Sequence, residues 1–197
     1  KLSITKNQSE DQVCVLNYDD KITRKFAKKI SAKPVFFSRL TNLEEGVCIK
    51  EDAIVLRTKE KEEEICKIKE LKLLGGHNIE NVMAAVAISY YMGVSVSCIH
   101  KVITEFMGVE HRIEYVDTIN GVAYYNDSKG TNPDAAIKGI QAMERPTILI
   151  GGGYDKGVAF DDWIEAFDGK VRYLLLLGVT AKQIETTANQ HGFTQCI

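Results

Sequence analysis

The sequence predicts an α/β chain in two parts, each with strands that alternate with helices. Three observations carry this. Apolar runs at Val13-Cys14-Val15-Leu16 and Pro34-Val35-Phe36-Phe37-Ser38 flank a segment of helical spacing, a βαβ pattern with a parallel strand pair. From Gly121 onward the order strand, helix, strand, helix, strand, helix is that of a parallel sheet with right-handed crossovers. Between them Gly108-Val109-Glu110-His111-Arg112, a glycine followed by mostly polar residues, puts the expected boundary between residues 1–110 and 111–197.

In the first part, Val13 to Asn17 reads as a buried strand leading through Tyr18-Asp19-Asp20 to a capped helix start. The helix is expected over residues 22–30, with Ile22, Phe26, Ala27 and Ile30 inward. Val47-Cys48-Ile49-Lys50 and Ala53-Ile54-Val55-Leu56-Arg57 flank Glu51-Asp52 as a hairpin. Residues 59–64 are a charge run read as a solvated loop, and Ile65-Cys66-Lys67-Ile68 as a short strand. Gly75-Gly76 opens a helix over residues 77–91, with Ile79, Val82, Met83, Val86 and Tyr90 on one face. Asn78 and Asn81 share a side of its first turns. Asparagine lowers helix propensity, so Asn81 either bonds the local backbone or serves a partner outside the helix. His77 is read as a structural hydrogen-bonding residue. Residues 95–106 form a second helix, with Ile99, Val102, Ile103 and Phe106 inward and His100 toward solvent.

In the second part, residues 113–119 and Val122-Ala123-Tyr124-Tyr125 flank Asn120-Gly121, the strongest short-range hairpin signal. The polar loop Asn126-Asp127-Ser128-Lys129-Gly130-Thr131 follows. Asn132 then suits an N-cap, Pro133 the first helical position, and Asp134 the positive helix end. A turn requires glycine, asparagine or proline; it does not require Asp127, Ser128, Lys129 and Thr131 together. Thr147-Ile148-Leu149-Ile150 is a buried strand that delivers Gly151-Gly152-Gly153, and residues 160–167, 171–178 and 180–191 read as helix, strand and helix. Ligands gather at the carboxyl ends of such strands, where Lys129 and Lys156 both fall. Neighbouring parallel strands lie ~5 Å apart, so two such ammonium groups could converge on one place.

Composition sets bounds on function. The 197 residues are 45% hydrophobic, enough for a substantial core. With 25 basic and 27 acidic residues and a net charge of −2, no bulk attraction to nucleic acid or membrane is implied. Five cysteines, at 14, 48, 66, 98 and 196, show no CxxC pair, which fits reduced thiols in a soluble intracellular protein rather than a disulfide or zinc framework. No signal peptide or membrane-length apolar run is visible. The start at Lys1 and the strand-like Phe193-Thr194-Gln195-Cys196-Ile197 suggest a fragment of a longer protein.

The loop Gly151-Gly152-Gly153-Tyr154-Asp155-Lys156-Gly157 follows a strand, as a dinucleotide fingerprint does. Its third glycine comes one place late, and Val158-Ala159 separate it from the next helix, which argues against nicotinamide binding. Nor does any Gly-Lys-Ser or Gly-Lys-Thr of a Walker A loop occur.

Taken in order, Gly75-Gly76-His77-Asn78-Ile79-Glu80-Asn81, His111-Arg112, Asn126-Asp127-Ser128-Lys129-Gly130-Thr131-Asn132 and the glycine-rich loop resemble the Mur ligase family, ATP-dependent amide-forming enzymes of peptidoglycan synthesis. The wording around Asp127 is most similar to the member that adds D-glutamate to UDP-N-acetylmuramoyl-L-alanine. The resemblance covers nearly the whole chain. It implies that residues 1–110 are the C-terminal part of the central ATP-binding domain and 111–197 an incomplete Rossmann-like C-terminal domain. It further implies that ATP phosphorylates the substrate carboxylate and that the amine of D-glutamate attacks the acyl phosphate.

By the same resemblance Asn81 contacts the adenine end of ATP, Arg112 reaches the nucleotide and Asp127 holds its ribose. Lys129, Thr131 and Lys156 hold D-glutamate. Lys1, in a Lys-x-x-Ile setting, matches a carbamylated lysine, and Gly130 stands where the family usually has alanine. Mg2+ is implied, with ligands mostly outside this chain and no metal site within it. The family reading also implies a cytoplasmic monomer serving cell-wall biogenesis, cell shape and division, with no nucleic-acid or membrane partner. The phosphate-cradling loop is expected ahead of Lys1, so the isolated chain is expected to be inactive. Two rivals share features: a folylpolyglutamate-synthase-like or other amino-acid ligase of the same architecture, and a non-catalytic carboxylate- or nucleotide-binding module.

Overall fold

The computed structural model describes residues 2–197. Lys1, and with it the expected carbamylated lysine, lies outside the described residues. The chain divides into two compact units, Lys1–Met107 and Gly108–Ile197.

In the first unit, β1 (Val13–Asn17) and β2 (Lys33–Ser38) pair in parallel through α1 (Lys21–Phe26), the βαβ unit read from the sequence. Asp20 caps α1, its Oδ1 accepting the Ile22 N–H at 2.6 Å. The helix stops at Phe26, short of the expected residue 30, and Ile22 is 61% exposed. None of its residues is buried, so no packing extends it beyond its cap. Next come β3 (Gly46–Lys50), β4 (Ala53–Arg57) and β5 (Glu62–Lys67), which complete a mixed sheet of order β1-β2-β3-β4-β5. The β3–β4 hairpin forms as expected, with Glu51 at φ 56°.

The acidic run corrects the sequence reading: Glu62 to Glu64 belong to edge strand β5 rather than to a loop. Glu62 lies within 2.7 Å of Lys50 and 2.6 Å of Arg57, so cross-strand ion pairs make this charged segment compatible with a sheet edge. Against the sheet pack α2 (Gly76–Tyr91) and α3 (Val96–Glu105), sharing a core of Val35, Val47, Ile54, Leu56, Met83 and Val86. Contrary to expectation Val102 is 57% and Phe106 46% exposed. Only Ile99 and Ile103, one turn apart, are buried on α3, and Phe106 is its C-cap.

In the second unit, β6 (Glu114–Ile119) and β7 (Val122–Asn126) form the hairpin that Asn-Gly announced. Asn120 at φ 50° and Gly121 at φ 80° supply the two left-handed positions such a tight turn needs. Then follow α4 (Pro133–Ala142), β8 (Thr147–Gly152), α5 (Asp161–Glu165), β9 (Val171–Leu177) and α6 (Ala181–Gln190). β8 and β9 pair in parallel, and Cys196 bridges to Leu174 in parallel beside them. Among the described residues β7 ladders only to β6, so Lys129 and Lys156 do not follow neighbouring strands of one sheet. The Asn-Gly turn pairs one edge of β7 with β6, and among the described residues no strand takes the other edge.

Ile140, Trp163, Ile164, Phe167, Leu174 and Ile184 form this unit's core. Gly151 packs so closely on Trp163 that an added Cβ would lie 2.7 Å from the indole ring. All five cysteines are free. Among the described residues no helix is long and apolar enough to cross a membrane.

Candidate functional site

The carboxyl end of β7 opens into residues 126–132, and this loop is laced to the segment that precedes β6. The Lys129 N–H donates to the His111 carbonyl at 2.9 Å, and the Ile113 N–H donates to Asp127 Oδ1 at 3.0 Å. His111 at φ 66° and Ile113 at φ 47° are both left-handed. That region disfavours a β-branched residue, and such a conformation persists only where surrounding bonds over-determine it. Here the bonds to Lys129 and Asp127 do so, and they fix the backbone on either side of Arg112. The Arg112 N–H bonds the Val109 carbonyl at 3.1 Å, and its side chain is exposed.

Asp127 is half-buried, and its carboxylate rests on two glycines. A Cβ at Gly130 would stand 2.7 Å from Asp127 Oδ2, and one at Gly139, inside α4, 2.8 Å from it. The Gly130 N–H closes the turn onto the Asp127 carbonyl at 2.8 Å. Asn126 bonds in two directions, its Oδ1 accepting the Ser128 N–H at 3.1 Å and its Nδ2 lying 2.9 Å from His111 Nδ1. Beyond Thr131 the N-cap forms as read: Asn132 Oδ1 accepts the Ala135 N–H at 2.9 Å, with Pro133 opening α4.

The glycine-rich loop after β8 reaches the same place by a side chain. Lys156 Nζ donates to the Thr131 carbonyl at 3.0 Å, while the Thr131 N–H bonds the Lys129 carbonyl at 2.8 Å. The two loops are thus joined, though by the length of a lysine rather than by strand pairing. Lys129, Thr131 and Lys156 are all exposed, so both cations and the threonine hydroxyl are accessible to a solute. Gly152 at φ 118° lies against the Leu177 carbonyl where no Cβ fits, which lets the Gly153 N–H bond that carbonyl at 2.9 Å. Arg112, Asp127, Lys129, Thr131 and Lys156 therefore stand on one bonded set of loops in the second unit.

Asn81 stands in the first unit, exposed on α2. Of the two readings open for it, the local backbone bond falls to its neighbour. Buried Asn78 donates to the Leu74 carbonyl at 2.7 Å, while Asn81 Nδ2 lies 3.5 Å from Asn78 Oδ1, at the limit of a hydrogen bond. Among the described residues no cluster of three or more His, Cys, Asp or Glu side chains is arranged to hold a metal ion.

Sequence reasoning passed over Asn126, the side chain of His111, and Gly139. Gly139 carried a legible signal: glycine inside a helix costs about 1 kcal/mol relative to alanine and asks for a reason. The Asn126–His111 contact carried none, since the partners lie fifteen residues apart across a hairpin.

Comparison with known proteins finds two family matches in the chain. Residues 1–89 match the Mur ligase middle domain, and residues 111–196 match the Mur ligase glutamate ligase domain. The UDP-N-acetylmuramoylalanine–D-glutamate ligase of Lachnoclostridium phytofermentans is 51% identical over 98% of this chain, and the chain covers 42% of that protein. The enzyme of the same name from Clostridioides difficile is 45% identical over 98% of the chain and is covered to 43%. The chain thus spans less than half the length of these curated relatives. Among solved structures, UDP-N-acetylmuramoylalanyl-D-glutamyl-2,6-diaminopimelate–D-alanyl-D-alanyl ligase from Acinetobacter baumannii superposes with a TM-score of 0.72 at 17% identity, over 100% of this chain and 44% of that one. Folylpolyglutamate synthase from Thermotoga maritima gives a TM-score of 0.57 at 18% identity, over 90% of this chain and 43% of that one. At these identities the two structures speak to the fold alone.

Proposed function

Because this chain belongs to the Mur ligase family, we propose that the whole protein to which it contributes joins D-glutamate to UDP-N-acetylmuramoyl-L-alanine at the expense of ATP. The γ-phosphoryl group of ATP passes to the substrate's terminal carboxylate, giving an acyl phosphate and ADP. The amine of D-glutamate attacks that carbonyl carbon, loses a proton, and expels inorganic phosphate as the amide forms. Activation converts a poor leaving group into a good one and divides one hard condensation into two easier steps.

The chain's own residues bind and orient. D-glutamate brings two carboxylates, whose desolvation only cations or well-aimed donors can offset. Lys129 and Lys156 supply the cations and Thr131 a hydroxyl. The bond from Lys156 Nζ to the Thr131 carbonyl, 3.0 Å long, is the observation that most supports this role, since it joins the two lysine-bearing loops. Asp127, half-buried and oriented by the Ile113 N–H, fits the paired hydroxyls of a ribose. Arg112, exposed between two fixed residues, fits a phosphate. The exposed amide of Asn81 fits the donor–acceptor edge of adenine. When bound, ATP would supply the phosphoryl group and magnesium would neutralise its charge. In this reading the protein is a cytoplasmic monomer acting on small molecules in cell-wall synthesis; its widely spaced cysteines fit a reducing compartment, and its balanced charge implies no bulk attraction to nucleic acid or membrane.

A substrate panel tests the reading. The whole protein is supplied with ATP, Mg2+ and either UDP-N-acetylmuramoyl-L-alanine or a folate, and phosphate release is measured with D-glutamate, L-glutamate, L-lysine or meso-diaminopimelate as the amine. Release only with D-glutamate is expected. Release with L-glutamate on a folate acceptor in place of the uridine nucleotide would transfer the site to a folylpolyglutamate-type reaction.

A further inference from the structure

His111 and Asn126 touch no substrate in the reading above, yet the bonds between them determine where a proton sits. The Asn126 amide lies between a backbone N–H and an imidazole nitrogen. Which end of an asparagine amide is oxygen is ambiguous by shape alone, and the neighbours must decide it. Here Ser128 decides. Its N–H, 3.1 Å away, can only donate, so it must face Oδ1. The amide NH2 then faces His111 Nδ1 at 2.9 Å. An amide NH2 can only donate, so Nδ1 must accept, and the ring of neutral His111 carries its proton on Nε2.

Glu114 opposes this choice. Its Oε2 lies 3.5 Å from the same Nδ1 and would favour a proton there. That oxygen is already engaged by the His111 backbone N–H at 2.7 Å, and the Asn126 donor is nearer to the ring. Asp127 Oδ1 is turned to the Ile113 N–H, and Lys129 meets His111 at the carbonyl. Asn126 is therefore the group that settles the tautomer.

We propose that Asn126 is a positioning residue: by donating to Nδ1 it selects the Nε2–H tautomer of His111 and clasps the segment carrying Arg112 to the loop carrying Asp127 and Lys129. The clasp adds a side-chain bond to two backbone-anchored ones, the Lys129 N–H on the His111 carbonyl and the Ile113 N–H on Asp127. Its kinetic consequence rests on the ligase reading, in which Arg112 and Asp127 serve the nucleotide. The tautomer does not rest on it.

The test uses the whole protein, with the His111 ring signals identified by their loss in His111→Gln. Long-range 1H–15N spectra at a pH where imidazole is neutral should show Nδ1 bare and Nε2 protonated in the parent. In Asn126→Asp an oxygen replaces the NH2 group while Oδ1 still accepts from Ser128, so the proton should move to Nδ1. In Asn126→Ala, Glu114 should draw it to the same nitrogen. A protonated Nδ1 in the neutral parent, or an unchanged Nε2–H tautomer in a folded Asn126→Asp, overturns the proposal; if that variant does not fold, the parent spectrum and Asn126→Ala decide. Losing one neutral hydrogen bond should raise the KM for ATP about two- to tenfold. A shifted tautomer with unchanged KM for ATP would refute the positioning role. An inactive parent would refute the ligase reading alone, the spectra still deciding for Asn126.

Discussion

Asp127 is placed as much by what its neighbours lack as by what they donate. Its carboxylate occupies the space that side chains at Gly130 and Gly139 would fill. At Gly130 an added Cβ would also press to 3.1 Å on the Asp127 backbone carbonyl, whereas at Gly139 alanine meets only the Asp127 side chain, so there the carboxylate yields rather than the backbone. Gly139→Ala should gain helix propensity, worth about 1 kcal/mol, while pushing Asp127 out of line. The expected outcome is an unchanged or higher Tm with a raised KM for ATP in the whole protein, measured by melting and by phosphate release. An equal KM would mean that the carboxylate's position is immaterial. Arg112→Ala should raise the KM for ATP more than that for D-glutamate, because a guanidinium between two fixed residues suits a phosphate; the reverse pattern would reassign it. The cysteines give a further check. Burial, reinforced by the charges of Glu70 and Glu64, pushes the Cys66 thiol up to about 11, whereas Cys98 is exposed. At pH 8 Cys98 should react with Ellman's reagent at once and Cys66 only after unfolding. A Cys66→Ser variant with one fewer fast-reacting thiol would contradict that burial.

Elements formed where local chemistry and packing agreed, and changed length where they did not. Residues 132–134 were legible because Asn132, Pro133 and Asp134 each carry a position-specific reason to start a helix, and α4 starts there. Asn132→Ala should cost about 1 kcal/mol, or about 4–8 °C in the melting of a unit of this size; a shift within a degree would mean that the cap is idle. The Asn120-Gly121 turn was legible for the same reason. The end of α1 was not, because Ile22, Phe26 and Ile30 have helical spacing whether or not anything covers them. The Glu62 to Glu64 segment was misread because the ion pairs of Glu62 with Lys50 and Arg57 cross between strands. The hairpin partner of β7 was legible, but the separation of β7 from β8 was hidden: an apolar run says that a strand exists and leaves its further neighbours open.

At the scale of the whole molecule, each of the two units carries its own core, around Val47, Ile54 and Met83 in one and Leu174 and Ile184 in the other. Amide exchange should be slowest in β3, β4 and β9 and much faster in the β6–β7 hairpin, where Val116, Ile119, Val122 and Tyr124 are all exposed. The loop residues were legible as a set, since acid, lysine and hydroxyl crowd a turn that needs none of them. The bond that joins the loops was not, because the reach of Lys156 to the Thr131 carbonyl depends on tertiary placement. In the whole protein, phosphate release is measured against D-glutamate and against ATP for the parent and for Lys156→Ala. Losing one charge-assisted hydrogen bond costs about 1.5–3 kcal/mol, so D-glutamate use should weaken roughly ten- to hundredfold with the KM for ATP unchanged. An unaltered dependence on D-glutamate in both Lys156→Ala and Lys129→Ala would contradict the site.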